Sequence, residues 1–187
     1  MTNATMETRL QHEVLAFVLE NAPVEPSADI YSFGFEPDPE RRYFAASAAL
    51  TAQDETIYLV FTLASNASSV FLTITDGDPR RVAGALAQLE HYDAACAVLG
   101  HGDTVSFEGD AFLQENGRPA VLLLRPCVSH ALPQFPDHHH FASRPIDFLL
   151  AVFLSAAEYQ TKLLGGLDAV LSAFESHVKD LVALRAT

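Results

Sequence analysis

Pro145-Ile-Asp-Phe-Leu-Leu-Ala-Val-Phe-Leu154, followed by Ser155-Ala-Ala-Glu158, is the stretch that decides the fold class of this chain. Ile146 to Leu154 is nearly continuous in Leu, Phe and Val, and no polar residue alternates through its second half. A run of that kind predicts a central strand covered on both faces. It is broken by Asp147 and is far too short to span a membrane. Ser155 and Glu158 have the spacing of a capping box, so a helix is expected immediately after the strand. Gly165-Gly166 interrupts that helix. Leu167 to Leu184 supplies a further amphipathic segment through Val170, Leu171, Phe174, Val178 and Leu181.

Upstream, Thr56 to Leu63 and Ser69 to Thr75 are rich in β-branched and aromatic residues. The Ser65-Asn-Ala-Ser68 stretch between them predicts a hairpin. Ile30 to Phe35 alternates as a strand, and Tyr43 to Leu50 is a small, Ala-rich candidate. An opening helix is expected over residues 7–21, with Leu10, Val14, Phe17 and Val18 on one side and a stop at Pro23 and Pro26. Asp78-Pro79 opens a second helix by the cap-then-proline rule. It is expected to reach Leu99, burying Val82, Leu86, Leu89, Tyr92 or Asp93, and Cys96, before Gly100-His-Gly102 stops it. Thr104 to Phe107 and Ala120 to Leu124 follow as strands around an Asn116-Gly117 turn signal. Residues 126–145 read as a long irregular segment, a length that often marks function. The expectation is a single α+β domain over 1–187, with helices packed on a mixed, largely antiparallel sheet.

The 187 residues carry 24 acids and 11 Lys or Arg, a net charge of −13 spread along the whole chain. Such a surface repels phosphate backbones, which need clustered cations, so nucleic acid is not an expected partner. It would steer a basic protein instead. Cys96 and Cys127 share no metal or redox spacing and sit in apolar sequence, which predicts buried free thiols. Met1 to Arg9 shows neither a charged n-region nor an apolar h-region, so a cytoplasmic location without membrane contact is expected.

Three segments carry a resemblance to the suppressor-of-fused-like (SUFU) domain family. The run Pro145 to Leu171 is similar to its apolar strand, Glu-Tyr/Phe helix, Gly-Leu and second helix. Leu86-Ala-Gln-Leu-Glu-His-Tyr through Gly102-Asp-Thr-Val resembles its helix and Gly-Asp-Thr strand entry, and Ala120-Val-Leu-Leu-Leu-Arg-Pro its next strand. The likeness is clearest over residues 80–175, and the chain departs from it in having no Trp. The resemblance implies a mixed α+β sheet and a protein-binding role. Bacterial members are associated with immunity against polymorphic toxins, and eukaryotic members hold a transcription factor inactive. It implies no catalytic residues and no cofactor.

Asp137-His138-His139-His140 is the feature nearest to chemistry. His138 and His140 could share a metal with Asp137 or His130, but no second pair at fixed spacing supports this, and no metal is assigned. The expected role of Asp137, His138, His139 and His140 is a partner-contacting loop. Asp76-Gly-Asp78 reads as a turn and a helix cap. His12 and His91 read as surface or satisfied residues, and Arg41-Arg42 and Arg80-Arg81 as surface cations. The leading reading is a non-enzymatic immunity-type protein that neutralises a basic toxin domain. A binding module for an endogenous partner, and an enzyme with a site near His138 to His140, are the alternatives.

Overall fold

The computed structural model describes residues 3–51, 56–65, 67–107, 109–177, 179 and 181–183. Helix α1 (Asn3–Asn21) leads into β1 (Asp29–Phe35), β2 (Asp38–Ala49), β3 (Tyr58–Thr62) and β4 (Ser69–Thr75). Helix α2 (Pro79–Ala95), β5 (Thr104–Ser106), α3 (Ala111–Glu115) and β6 (Ala120–Leu124) follow. After a 3-10 turn at Pro126–Val128 come β7 (His138–His140), β8 (Pro145–Leu154), α4 (Ala156–His177) and β9 (Val182–Ala183). Among the described residues the strands form one sheet in the order β1-β2-β3-β4-β8-β6-β5, with β7 beside β8 and β9 beside β4. All pairs are antiparallel except β4 with β8 and β4 with β9. The chain is therefore an α+β domain with a largely antiparallel mixed sheet.

β8 is central, and its unbroken apolar character has a direct cause. Phe148, Leu150, Val152 and Leu154 enter the layer shared with Val14 and Val18 of α1 and Val170 and Phe174 of α4. Leu149, Ala151 and Phe153 enter the opposite layer with Val82, Leu86 and Leu89 of α2 and Leu113 of α3. Each fully buried Leu or Phe contributes about 1.5–3 kcal/mol, so a polar residue on either face of β8 would be costly. The Ala-rich stretch lies within β2, where Ala45 and Ala46 face opposite layers.

The expected caps are present. Asp78 accepts from the Arg80 amide at 2.9 Å. The Ser155 amide donates to Glu158 Oε2 at 2.7 Å, and the Glu158 amide donates to Ser155 Oγ at 3.3 Å.

Several expectations need correction. Helix α2 stops at Ala95 rather than Leu99, because Asp93, not Tyr92, turns inward and its Oδ1 accepts the Leu99 amide at 2.6 Å. Cys96 and Cys127 are exposed, not buried: one caps the end of α2 and the other lies in the 3-10 turn. Asn116-Gly117 is not a two-residue hairpin but the stop of α3, with Gly117 at φ +64° and its amide bonded to the Gln114 carbonyl. Residues 126–145 are not wholly irregular, since the 3-10 turn and β7 lie within them.

The glycine interruption in α4 falls at Gly166, whose φ of 76° and ψ of −167° kink the helix. The helix ends at His177, so Leu181 lies beyond it. Asn66, Val178 and Leu184 lie outside the described residues. No helix among the described residues is long and apolar enough to cross a membrane.

Candidate functional site

The three histidines form an edge strand and not a loop. β7 pairs with the start of β8, His138 opposite Asp147, His139 opposite Ile146 and His140 opposite Pro145. The Phe148 amide donates to the Asp137 carbonyl at 2.8 Å and extends the tie by one residue. Strand alternation then divides the histidines. His138 and His140 are exposed on one side, their rings 6.3 Å apart and nearly perpendicular. His139 packs the other way, 4.2 Å from the Phe17 ring of α1 and 4.6 Å from Phe141. Phe17 in turn stacks on Phe148 at 5.3 Å, so His139 belongs to the aromatic contact that seats α1 on the sheet.

Asp137 and His138 line a cleft of about 180 Å³ together with His101, Arg125 and Asp147, with Leu99 and Leu149 as apolar wall. His101 comes from the turn before β5, Arg125 from the end of β6 and Asp147 from the start of β8. His138 Nδ1 lies 2.9 Å from Asp137 Oδ1, and Arg125 Nε lies 3.8 Å from Asp137 Oδ2. The hydrogen bond from the His138 ring holds the Asp137 carboxyl below the ordinary carboxylate range; slight burial opposes this and Arg125 adds to it. The result is an ionised, solvent-facing carboxylate flanked by two donors.

An Asp–His pair at this distance is half of a nucleophilic constellation. Among the described residues no Ser, Thr or Cys lines the cleft to complete it. Among the described residues no group of three or more His, Cys, Asp and Glu is arranged to hold a metal ion. His130, the other suggested ligand, lines a different cavity. That cavity is a groove of about 570 Å³ between the end of α1, Leu50 and residues 130–135.

The remaining polar features have structural employment. His91 Nδ1 is 2.9 Å from the Tyr43 hydroxyl, which burial pushes above the ordinary phenol range, opposed by Arg41 and reinforced by Glu90 and Asp38. His12 is exposed. The Arg81 guanidinium lies 4.8 Å over the Phe112 ring, and Arg42 donates to the Ser32 hydroxyl and carbonyl. The Gly77 amide is held by the Thr75 hydroxyl at 3.0 Å, making Asp76-Gly-Asp78 a turn into α2.

Sequence reasoning missed His101, Arg125 and Asp147 as neighbours of Asp137, and it missed the groove. Asp147 left one signal, a charge interrupting an otherwise apolar strand. His101 was absorbed into a helix-stop motif, and nothing local marked Arg125.

No family model matches the chain, and no curated protein matches it significantly. Among solved structures it is similar to a crystal structure of a protein described as a SUFU (suppressor of fused protein) homolog from Neisseria gonorrhoeae. The TM-score is 0.66 at 14% identity, and the match covers 96% of each chain. The chain thus shares its fold with that protein over the matched 96% of each.

Proposed function

We propose that this chain is a non-enzymatic protein-binding domain of the immunity type, which neutralises a basic toxin domain by covering it. The observation that carries the reading is the fold likeness to the SUFU homolog over 96% of both chains. The net charge of −13 supports a cationic partner, because a field of that sign speeds its encounter and discriminates against acidic competitors. Asp137 and His138 on the cleft, with exposed His140 beside His138, form the contact surface, and His139 packs that strand against Phe17 of α1. An ionised Asp137 on a rigid sheet edge is a ready acceptor for an Arg or Lys of the partner.

Co-expression tests the proposal. A cognate toxin domain should lose its toxicity beside this chain, and toxicity should return when Asp137, His138 and His140 are replaced together by Ala. A toxin domain that kills equally with and without the chain overturns the immunity role. Stoichiometric capture of a non-toxic endogenous protein would assign the module to regulation instead. The association rate should fall steeply with ionic strength while the dissociation rate stays nearly constant.

A further inference from the structure

The groove at the end of α1 has a one-sided chemistry. Its walls include Ala22, Pro23, Leu50, Leu132, Pro133 and Phe135. Leu132 and Phe135 are 1% and 4% exposed and belong to the main core, so the apolar wall is fixed rather than a mobile flap. Phe135 sits edge-on to Phe148 at 5.2 Å and to Phe17 at 6.2 Å, which anchors the 130–135 segment to the sheet and to α1. The opposite wall is held as firmly. Val24 bridges to Leu50, and both the amide and the hydroxyl of Thr51 donate to the Pro23 carbonyl, at 3.0 and 3.1 Å. At about 570 Å³ the groove falls inside the range of roughly 300–1,000 Å³ typical of preformed binding clefts.

The electrostatics of the groove point one way. Glu20 is exposed on its wall, and among the described residues no Lys or Arg lines it. Helix α1 ends there at Asn21, whose side-chain amide donates to the Phe17 carbonyl at 2.8 Å, but its last turn holds no basic residue, so no positive charge within the helix offsets the partial negative charge of its carbonyl end. Both terms add to the field of a chain at −13.

We propose that this groove is a docking site for an apolar segment of a partner protein that carries Lys or Arg where it meets Glu20 and the C-terminus of α1. The inference rests on the protein-binding reading above and gives it a second contact surface, separate from the Asp137–His140 cleft. Bulky apolar side chains fill the space above Leu132 and Phe135, and the cation supplies the C-terminal charge that α1 lacks.

The full chain, labelled with ¹⁵N, is titrated with three short synthetic peptides. They share one Leu- and Phe-rich core and carry Arg-Lys, Ser-Ser or Glu-Asp at one end. Amide shifts should concentrate at Ala22, Leu50, Ala131 and Gln134, and the basic peptide should bind about threefold to tenfold more tightly than the neutral one. Glu20→Lys alters an exposed residue and should leave thermal unfolding unchanged while reversing the order of the basic and acidic peptides. Equal affinities, shifts centred on other residues, or no binding overturns the proposal. If a toxin domain is captured with the same affinity by Glu20→Lys as by the parent chain, the groove inference falls and the protein-binding reading stands. If the basic peptide docks as described while no toxin domain is neutralised, the immunity reading falls instead.

Discussion

Lys179 reaches back 21 residues to clasp Glu158, its Nζ 2.7 and 2.8 Å from the two carboxylate oxygens. Glu158 is also the acceptor of the capping box that starts α4, and Arg118 approaches it to 3.9 Å. One side chain thus fixes the start of α4 and the segment leading to β9. Burial alone would raise its carboxyl, but Lys179 and the Ser155 amide and hydroxyl together hold it below the ordinary Glu range. A depressed folded-state value contributes stability that is present above the unfolded value, about 4.3, and is lost as pH falls through the folded one. Lys179→Met should therefore lower stability by about 1–3 kcal/mol at neutral pH and flatten the acid limb of the profile. Urea unfolding across the acid range measures both; an unchanged acid limb would contradict the coupling.

Asp93 behaves oppositely. Burial raises its carboxyl above the ordinary range, and the amides of Leu99 and Ser68 only partly offset this. A raised folded-state value means a contribution present below the unfolded value and lost as pH rises through the folded one, so the ionised form is a liability at neutral pH. Asp93→Asn keeps an acceptor for Leu99 and should match or exceed the parent stability at pH 7. Asp93→Ala strands two amides and should cost about 1–3 kcal/mol. Equal losses for both variants in denaturant titration would refute the assignment.

Gly166 carries the kink of α4 at φ 76° and ψ −167°, a region closed to residues with a Cβ. Gly166→Ala should lower stability by about 1–3 kcal/mol. Gly109→Ala, whose added Cβ would meet no atom of the described residues within 4 Å, should be close to neutral. Thermal melts of the pair check this, and equal melting temperatures would show that the kink is not a constraint.

The histidines of β7 should separate by parity. His139→Ala removes the ring packed at a tilt on Phe17 and should destabilise by about 0.5–1.5 kcal/mol, whereas His138→Ala and His140→Ala should stay within about 0.5 kcal/mol. Added zinc should leave the melting temperature of the parent chain unchanged. A zinc-dependent rise that disappears in the double variant of His138 and His140 would restore the metal reading.

Several features were legible in the sequence because they are encoded within a few residues. The caps at Asp78 and Ser155–Glu158 close hydrogen bonds over two or three positions, and the Gly166 break needs only a missing Cβ. β8 was legible as central because burial on both faces demands an uninterrupted apolar run. Other features depended on where the chain returns. Whether Tyr92 or Asp93 faced inward hung on the Leu99 amide arriving beside it, and the exposure of Cys96 followed from the same early helix end.

The sequence by itself determined the α+β class, the central strand, the starts of α2 and α4 and the sign of the electrostatic field, since each is a sum over neighbouring residues; it did not show α3. Only the tertiary structure decided that His139 turns from His138 and His140 into an aromatic seat. It alone brought His101, Arg125 and Asp147 around Asp137, and opened a groove between α1 and residues 130–135. Those juxtapositions join segments tens of residues apart, and the free energy that selects them comes from packing two helical layers on one sheet, which no local window of the chain contains.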